Sequence, residues 1–142
     1  MIKVSYLVLA ILVMARTPQY ISDRKKDFPV ISELESDRAE LPIQYAPGLF
    51  LIDISQEEWF LVFEYVYYYK AEELGDVNQA KKFIERGIIQ ELSAEYFKST
   101  NGGKNDIYEQ LNQGFKYRFI FRNHDQDWGF HLDMKRNDLI RE

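Results

Sequence analysis

The chain has 142 residues, enough for one domain, and its 46% hydrophobic and 15% aromatic content can supply a small core. Because it contains no cysteine, a disulfide framework, a thiolate zinc site, a Cys nucleophile and a lipidated Cys anchor are excluded. The net charge of −5 and the lack of a long basic run argue against nucleic-acid binding, which needs a cationic face.

The chain opens with a segment typical of an export signal. Met1 to Lys3 supplies one positive charge, Val4 to Met14 is mostly apolar, and Ala15 is a small residue suited to cleavage. As a helix the apolar run would span roughly 16 Å, well short of a bilayer core about 30 Å thick. We therefore predict that residues 1–15 are a signal peptide; a retained short anchor and a buried element of the fold are the alternatives.

A polar arm is predicted over residues 16–47, because all four prolines of the chain lie there. Proline removes a backbone donor and restricts the residue before it, so long regular elements are disfavoured. The mixed charges of SDRKKDF indicate a solvated surface or linker, with a binding patch as the alternative, so residues 16–47 are a second candidate contact surface beside the hairpin. Ile31, Leu34 and Leu41 predict one short helix against the core. A single domain is then predicted over residues 48–142.

The middle of the chain is predicted to be helical. The run LFLIDI indicates a strand, and WFLVFEYVYYY, which follows it, is interpreted as the central helix of the core. Ser55 and Glu58 fit a capping box at its start, and the helix would run to about Leu74. Its almost uninterrupted apolar character predicts burial on more than one side.

Three consecutive tyrosines, Tyr67, Tyr68 and Tyr69, end this apolar run. In a helix, successive side chains point about 100° apart, so the three hydroxyls cannot converge. One or two of them could line a pocket, while packing at the core boundary is the simpler interpretation.

A helical hairpin is predicted in YYKAEELGDVNQAKKFIERGI, with Gly75 at the turn, Asp76 as N-cap and Gly87 as the end of the second helix. The segment resembles one tetratricopeptide hairpin, although the period of about 34 residues that this family requires is absent. Similar hairpins open cone-shaped α+β domains of the nuclear-transport-factor-2-like type. That resemblance implies a domain that binds a small ligand or acts as an enzyme.

Two more helices are predicted before the C-terminal strands. The first is IIQELSAEYF, followed by a loop at 99–103, where Gly102-Gly103-Lys104 lacks the spacing of a phosphate-binding loop. The second is IYEQLNQ, with Asp106 as its cap and Gly114 as its end.

A C-terminal β-hairpin is the clearest pattern in the chain. FKYRFIFR and DWGFHLDM alternate apolar and polar residues, which predicts two half-buried antiparallel strands joined by a loop at Asn123–Gln126. Keeping both apolar sets on one face places Phe121 opposite Trp128 and Phe119 opposite Phe130. In this register the polar face has three facing pairs: Arg122 with Asp127, Arg118 with His131, and Lys116 with Asp133.

This polar face is the predicted functional surface, since here spacing alone brings charged side chains together. A solvated sheet face is the simplest interpretation; a patch for an anionic partner or ligand is the alternative, and acid–base catalysis by His131 lacks a second acid. His124, Asp125 and Asp127 are typical turn residues, so no metal site is predicted. The candidate binding residues are Lys116, Arg118, Arg122, His131, Asp133, Trp59, Tyr67 and Tyr68.

We expect an α+β fold of three to four helices packed on a small antiparallel sheet that includes the hairpin. The preferred function is that of a small exported interaction protein, of inhibitor, immunity or accessory type, binding a protein partner in the bacterial cell envelope. The alternative is a nuclear-transport-factor-2-like cone with Trp59, Tyr67 or Tyr68, Arg118 and His131 around a pocket. No cofactor or catalytic residue is predicted, and membrane contact is expected only through an uncleaved N-terminus.

Overall fold

The computed structural model describes residues 20–22, 28–31, 34–98 and 105–140. The predicted export segment and the predicted loop at 99–103 lie outside them. The elements in chain order are β1 (Tyr20–Ser22), β2 (Pro29–Ile31), α1 (Leu34–Arg38), β3 (Ile43–Ala46), β4 (Leu49–Glu57), β5 (Phe60–Tyr67), α2 (Ala71–Leu74), α3 (Val77–Lys98), α4 (Asp106–Gln113), β6 (Lys116–Asn123), β7 (Gly129–Met134) and a short 3-10 helix (Arg136–Asp138).

The main sheet has five strands in the order β3-β4-β5-β6-β7. All neighbouring strands pair antiparallel except β5 and β6, which run parallel. Strands β1 and β2 form a separate antiparallel pair. With four α-helices in the described part of the chain, this architecture confirms the predicted α+β class and its C-terminal hairpin.

The two faces of the main sheet differ in composition. Its core face packs against buried residues of α3 and α4, such as Ile88 and Leu111. The opposite side is called the outer face below. On strands β5 to β7 the core face carries Leu61, Phe63, Tyr65, Tyr67, Tyr117, Phe119, Phe121, Leu132 and Met134, and the outer face carries Phe60, Val62, Glu64, Val66, Lys116, Arg118, Ile120, Arg122, His131 and Asp133.

The predicted central helix is wrong, because residues Phe60–Tyr67 of WFLVFEYVYYY form strand β5 at the centre of the sheet. Ser55 belongs to β4, and the supposed capping residue Glu58 lies with Trp59 in the turn that joins β4 to β5, with a φ of 55°. The outer-face residues Val62 and Val66 are only 2% and 3% exposed. Burial on both faces removes the polar–apolar alternation, so the strand resembles a buried helix in sequence.

The helical hairpin is only partly as predicted. Gly75 follows α2 with a φ of 80°, and Asp76 caps the next helix by accepting a hydrogen bond from the Gln79 amide at 2.9 Å. Gly87 does not end that helix, because α3 continues to Lys98 and includes the helix predicted in IIQELSAEYF. A single glycine in a helix interior costs about 1 kcal/mol, which packing of the surrounding apolar face offsets.

Helix α4 ends as predicted, with Gly114 in the left-handed region at a φ of 105°. Its cap is Asn105, however, and not Asp106, because the Asn105 side chain accepts a hydrogen bond from the Tyr108 amide at 2.8 Å.

The sheet and the core include residues before position 48. The proline content had suggested a polar arm that ends at residue 47. The predicted short helix forms as α1, and β3 adds an edge strand to the sheet. Ile31 is 8% exposed and belongs to the core, and Leu34 and Tyr45 are partly buried against that core. Among the described residues, no helix is long and apolar enough to cross a membrane.

Candidate functional site

The five candidate residues of the hairpin lie on the outer face, as the alternation predicted. Their partners across the strands differ, because the register is offset by two residues: Phe121 faces Phe130, and Phe119 faces Leu132. Arg118 therefore lies opposite Asp133, and His131 lies opposite Ile120 rather than Arg118. An offset of two residues keeps each side chain on its predicted face, because side chains alternate with a period of two.

Arg118 organises a charged cluster on this face. Its guanidinium donates two hydrogen bonds to Asp133, from Nε to Oδ1 at 2.8 Å and from Nη2 to Oδ2 at 3.0 Å. Its Nη1 lies 3.9 Å from a carboxylate oxygen of Glu57. The Cζ atom lies 4.3 Å from the centre of the Phe60 ring, and the Lys116 ammonium lies 5.2 Å from the same ring. The cluster thus joins side chains from four strands, β4 to β7.

The Arg118–Asp133 pair at the centre of this cluster fixes the positions of two charges but stabilises the fold only slightly. The hydrogen bond from Arg118, with its positive charge, lowers the pKa of Asp133, and the same contact raises the pKa of Arg118. The two side chains are 29% and 40% exposed, so water screens their attraction. Such pairs contribute about 1 kcal/mol or less.

Two other cations on the outer face form no ion pair with a described carboxylate, although the charge of Lys116 helps to lower the pKa of Asp133 after the larger effect of Arg118. Lys116 and Arg122 make no ion pair within the ranges that the structure describes. Lys116 contacts the Phe60 ring, and Arg122 lies opposite Gly129, which has no side chain. Both charges are therefore available to an external carboxylate.

The remaining candidate residues are not gathered around this cluster. Trp59 lies in the turn just before β5, where its ring centre is 5.3 Å from that of Phe115. Tyr67 lies at the other end of the strand, roughly 26 Å away at ~3.3 Å per residue, on the core face. Tyr68 is 55% exposed and stacks on His124, with 5.7 Å between ring centres. These residues therefore do not line the one common pocket that the nuclear-transport-factor-2-like alternative predicted.

Asn123 is a buried polar residue whose role the sequence did not indicate. Its side-chain oxygen accepts hydrogen bonds from the amides of Asp127 at 3.1 Å and Trp128 at 3.2 Å. Its side-chain nitrogen donates to the Asp127 carboxylate and to the Tyr69 carbonyl. Asn123 thus ties the β6–β7 turn to the end of β5. An Asn before a turn is common, so the sequence carries no signal for the bond to Tyr69.

The chemistry available at the outer face is electrostatic. In the described segments, no group of three or more His, Cys, Asp or Glu side chains is placed to share a metal ion. His124 contacts Asp125 at 3.4 Å within the turn. A surface of fixed charges beside aromatic rings can orient and hold a partner of complementary charge.

Comparison with known proteins gives a likeness of fold. No protein-family model and no curated protein matches the sequence. The protein PA3611 of Pseudomonas aeruginosa, for which secretion has been proposed, is similar with a TM-score of 0.56 at 8% identity, over 74% of this chain and 84% of its own. EpsS, a pilotin of the Vibrio vulnificus type 2 secretion system, is similar with a TM-score of 0.51 at 13% identity, over 99% of this chain and 100% of its own. At these identities the likeness shows the fold alone.

Proposed function

We propose that this protein is a small exported interaction protein of inhibitor, immunity or accessory type, which binds a protein partner in the bacterial cell envelope. The observation that carries the proposal is the outer face, where Lys116 and Arg122 flank a charged cluster centred on Arg118. The sheet fixes the backbone of these residues, and two hydrogen bonds to Asp133 hold the Arg118 side chain, which lowers the conformational entropy lost when a partner docks. Export is supported by the cationic and apolar start of the sequence, and by a fold also found in PA3611 and in a pilotin.

The location is tested by fractionating cells that make the full chain with a C-terminal tag, and sequencing the N-terminus of the recovered protein. We expect recovery outside the cytoplasm, with the mature chain beginning directly after Ala15 or, if the segment is retained, at Met1 in the membrane fraction. Protein that begins at Met1 and is found free in the cytoplasm would refute export.

The binding surface is tested by charge reversal. The double variant Lys116→Glu/Arg122→Glu removes the two cations without an ion-pair partner, while Lys82→Glu/Arg86→Glu makes the same change in net charge on exposed residues of α3. After cross-linking in intact cells, we expect one defined envelope protein to be captured by the wild type and the α3 variant, and lost with the outer-face variant. Equal capture by all three would exclude the outer face as the contact surface.

A further inference from the structure

The two edge strands of the main sheet differ in how well they are protected against pairing with another chain. At one edge, Pro42 and Pro47 flank β3, and its register shifts between Gln44 and Ala46. At the other edge, Gly129–Met134 of β7 include neither proline nor lysine, and their register with β6 is unbroken. Prolines, lysines and irregular registers are the usual protection of an edge. Strand β7 therefore presents the open edge of this sheet.

The backbone groups at the open edge can be assigned from the hydrogen bonds of β6. The Lys116 amide donates to the Trp59 carbonyl, and the His124 amide donates to the Tyr67 carbonyl, both at 2.9 Å. Even-numbered residues of β6 thus bond to β5, which leaves the odd-numbered ones to bond to the even-numbered residues of β7. The backbone groups of β7 that point away from the sheet belong to three exposed residues: Gly129, His131 and Asp133.

These outward N–H and C=O groups make no hydrogen bond with any group in the described part of the chain. Among the described strands, none lies beyond β7. A row of unpaired backbone donors and acceptors is a template for one further strand.

A gap on the outer face lies beside this edge. Gly129 has no side chain, and an added Cβ would lie 2.7 Å from the Phe121 carbonyl oxygen, so the gap belongs to the fold. Arg122 lies opposite Gly129 and forms no ion pair with a described carboxylate. Both residues line a shallow concavity of about 720 Å³ that also includes Phe130 and His131. The charge of Arg122 can therefore reach across β7 toward a strand beyond it.

Strand β7 is complementary to itself across this edge. In an antiparallel pairing about a two-fold axis at His131, Gly129 lies opposite Asp133 of a second copy, and His131 lies opposite its counterpart. Of the symmetric registers, this one alone pairs all three residues that carry outward groups. Each such pair exchanges two bonds, so the two strands would share about six backbone hydrogen bonds.

The charges are complementary in the same register. The Arg122 Cα would lie roughly 10 Å from the Asp133 Cα of the second copy, a distance that the two extended side chains bridge over Gly129. Asp133 accepts two hydrogen bonds from Arg118, and its carboxylate keeps further lone pairs for Arg122 of the other chain. Each Asp133 would thus lie between two arginines, one from each copy.

The apolar residues of β7 also match. On the core face, the half-buried Phe130 would lie opposite the buried Leu132 of the second copy. Cross-strand pairs of an aromatic and an aliphatic side chain stabilise sheets, and this pair would occur twice.

We propose that two copies of this chain associate through β7, which joins their two five-stranded sheets into one. A second copy is the occupant that the page supports, because backbone groups, charge and apolar side chains of β7 all find their counterparts on β7 itself. The dimer is measured on the purified chain alone, so it does not depend on the envelope partner proposed above, and either proposal can fail without the other.

The first test is the mass in solution of protein purified from cells that make the full chain. Sedimentation equilibrium over about a hundredfold range of concentration should show a rise from the mass of one chain to that of two, and no further, because a two-fold pairing is closed. A single-chain mass throughout, or growth beyond two chains, would overturn the proposal.

Amide hydrogen exchange locates the contact. In the dimeric sample, the amides of Gly129, His131 and Asp133 should exchange more slowly than in the dilute one. Those of Phe130 and Leu132 should be equally protected in both, because they already bond to β6. Exchange at the three outward amides that does not change with concentration would exclude β7 as the contact.

Two substitutions at His131 separate the backbone from the side chain. His131→Pro removes the central outward N–H, which makes no bond in the single chain, so the dimer should be lost while dilute protein stays folded. His131→Ala keeps that N–H and should still dimerise. A dimer that persists in a folded His131→Pro variant would refute the pairing.

Charge reversal at Arg122 is a second probe that does not alter the backbone. Arg122→Glu would place two carboxylates together at both ends of the pairing, and we expect it to weaken the dimer about tenfold or more. Lys70→Glu makes the same change of charge on an exposed residue between β5 and α2, and should leave the dimer unchanged. Equal dimerisation of the two variants would contradict the proposed register.

Discussion

The two faces of strand β6 show how one stretch of sequence serves two purposes. On the core face, Phe119 and Phe121 are fully buried and stack on Phe63 and Tyr65 of β5, with ring centres 5.7 and 5.0 Å apart. On the outer face, the charged residues Lys116, Arg118 and Arg122 and the uncharged Ile120 are only half-buried. The core-face residues therefore account for stability, while the alternate, outer-face residues carry the proposed recognition; substitutions on one face should leave the property of the other intact.

The largest difference in the free energy of unfolding is expected between alanine variants of two adjacent residues of β6. Phe119→Ala should lower the free energy of unfolding by about 3–5 kcal/mol, because it removes a ring that is 0% exposed and leaves a cavity. Ile120→Ala on the outer face is the matched control, with an expected loss of about 1 kcal/mol. Urea unfolding followed by tryptophan fluorescence measures both. Similar losses for the two variants would show that the faces are not energetically distinct.

Asn123 is a polar residue on the otherwise apolar core face of β6. Its removal is expected to cause the next largest loss in the free energy of unfolding. Asn123→Ala should cost about 2–4 kcal/mol, because it leaves buried groups of the β6–β7 turn without their partners. The exposed Asn78→Ala on α3 controls for the change of residue type. If both variants unfold at the same urea concentration, the turn does not depend on this side chain.

The pH dependence of stability examines the charged cluster. Since Arg118 lowers the folded-state pKa of Asp133, this pair stabilises the fold above the unfolded-state pKa of about 3.9, and the stabilisation is lost as the pH falls through the folded-state value. In Asp133→Asn this pair is absent at every pH. The free energy of unfolding should therefore fall less between pH 6 and pH 2 than in the wild type, by about 1 kcal/mol or less. Unfolding midpoints from pH 6 down to pH 2 measure it, with Glu72→Gln as the control; a profile that Asp133→Asn leaves unchanged would contradict the assignment.

The smallest effect is expected at the two cations without an ion-pair partner. Lys116→Ala and Arg122→Ala should each change the free energy of unfolding by no more than about 0.5 kcal/mol, because neither pairs with a described carboxylate. Thermal unfolding is sufficient to check this. A loss above 2 kcal/mol would mean that the outer face supports the fold, and that binding defects there have a structural origin.

The sequence predicts the faces of the hairpin better than its register. Alternation places Tyr117, Phe119 and Phe121 inward, because charged residues between them cannot be buried cheaply. The register depends on where the turn ends, and the observed turn ends two residues later than predicted, with Gly129 opposite Arg122. Asn123 holds this longer turn by bonding to Asp127, Trp128 and the separate segment at Tyr69. Contacts of that kind have no local signature, so the turn was predicted too short.

Strand β5 could not be recognised from periodicity, because Val62 and Val66 are buried on the face where polar residues were expected. Its many β-branched and aromatic residues were the better indicator. The candidate site was also predicted only in part. Hairpin spacing placed Arg118 and Asp133 on the same face but paired them with the wrong partners, His131 and Lys116. The contribution of Glu57 from β4 depends on strand order, which a single sequence does not reveal.

The parallel pairing of β5 with β6 has a consequence for biogenesis. Residues 68–115 separate the two strands, so β5 has no neighbour on that side until residues 116–123 have left the ribosome or an export channel. Until then an aromatic strand presents a free hydrogen-bonding edge, which is a site for aggregation. A nascent chain of this protein would therefore gain from a chaperone that holds it until the C-terminal residues arrive, and premature termination before residue 116 should yield insoluble product.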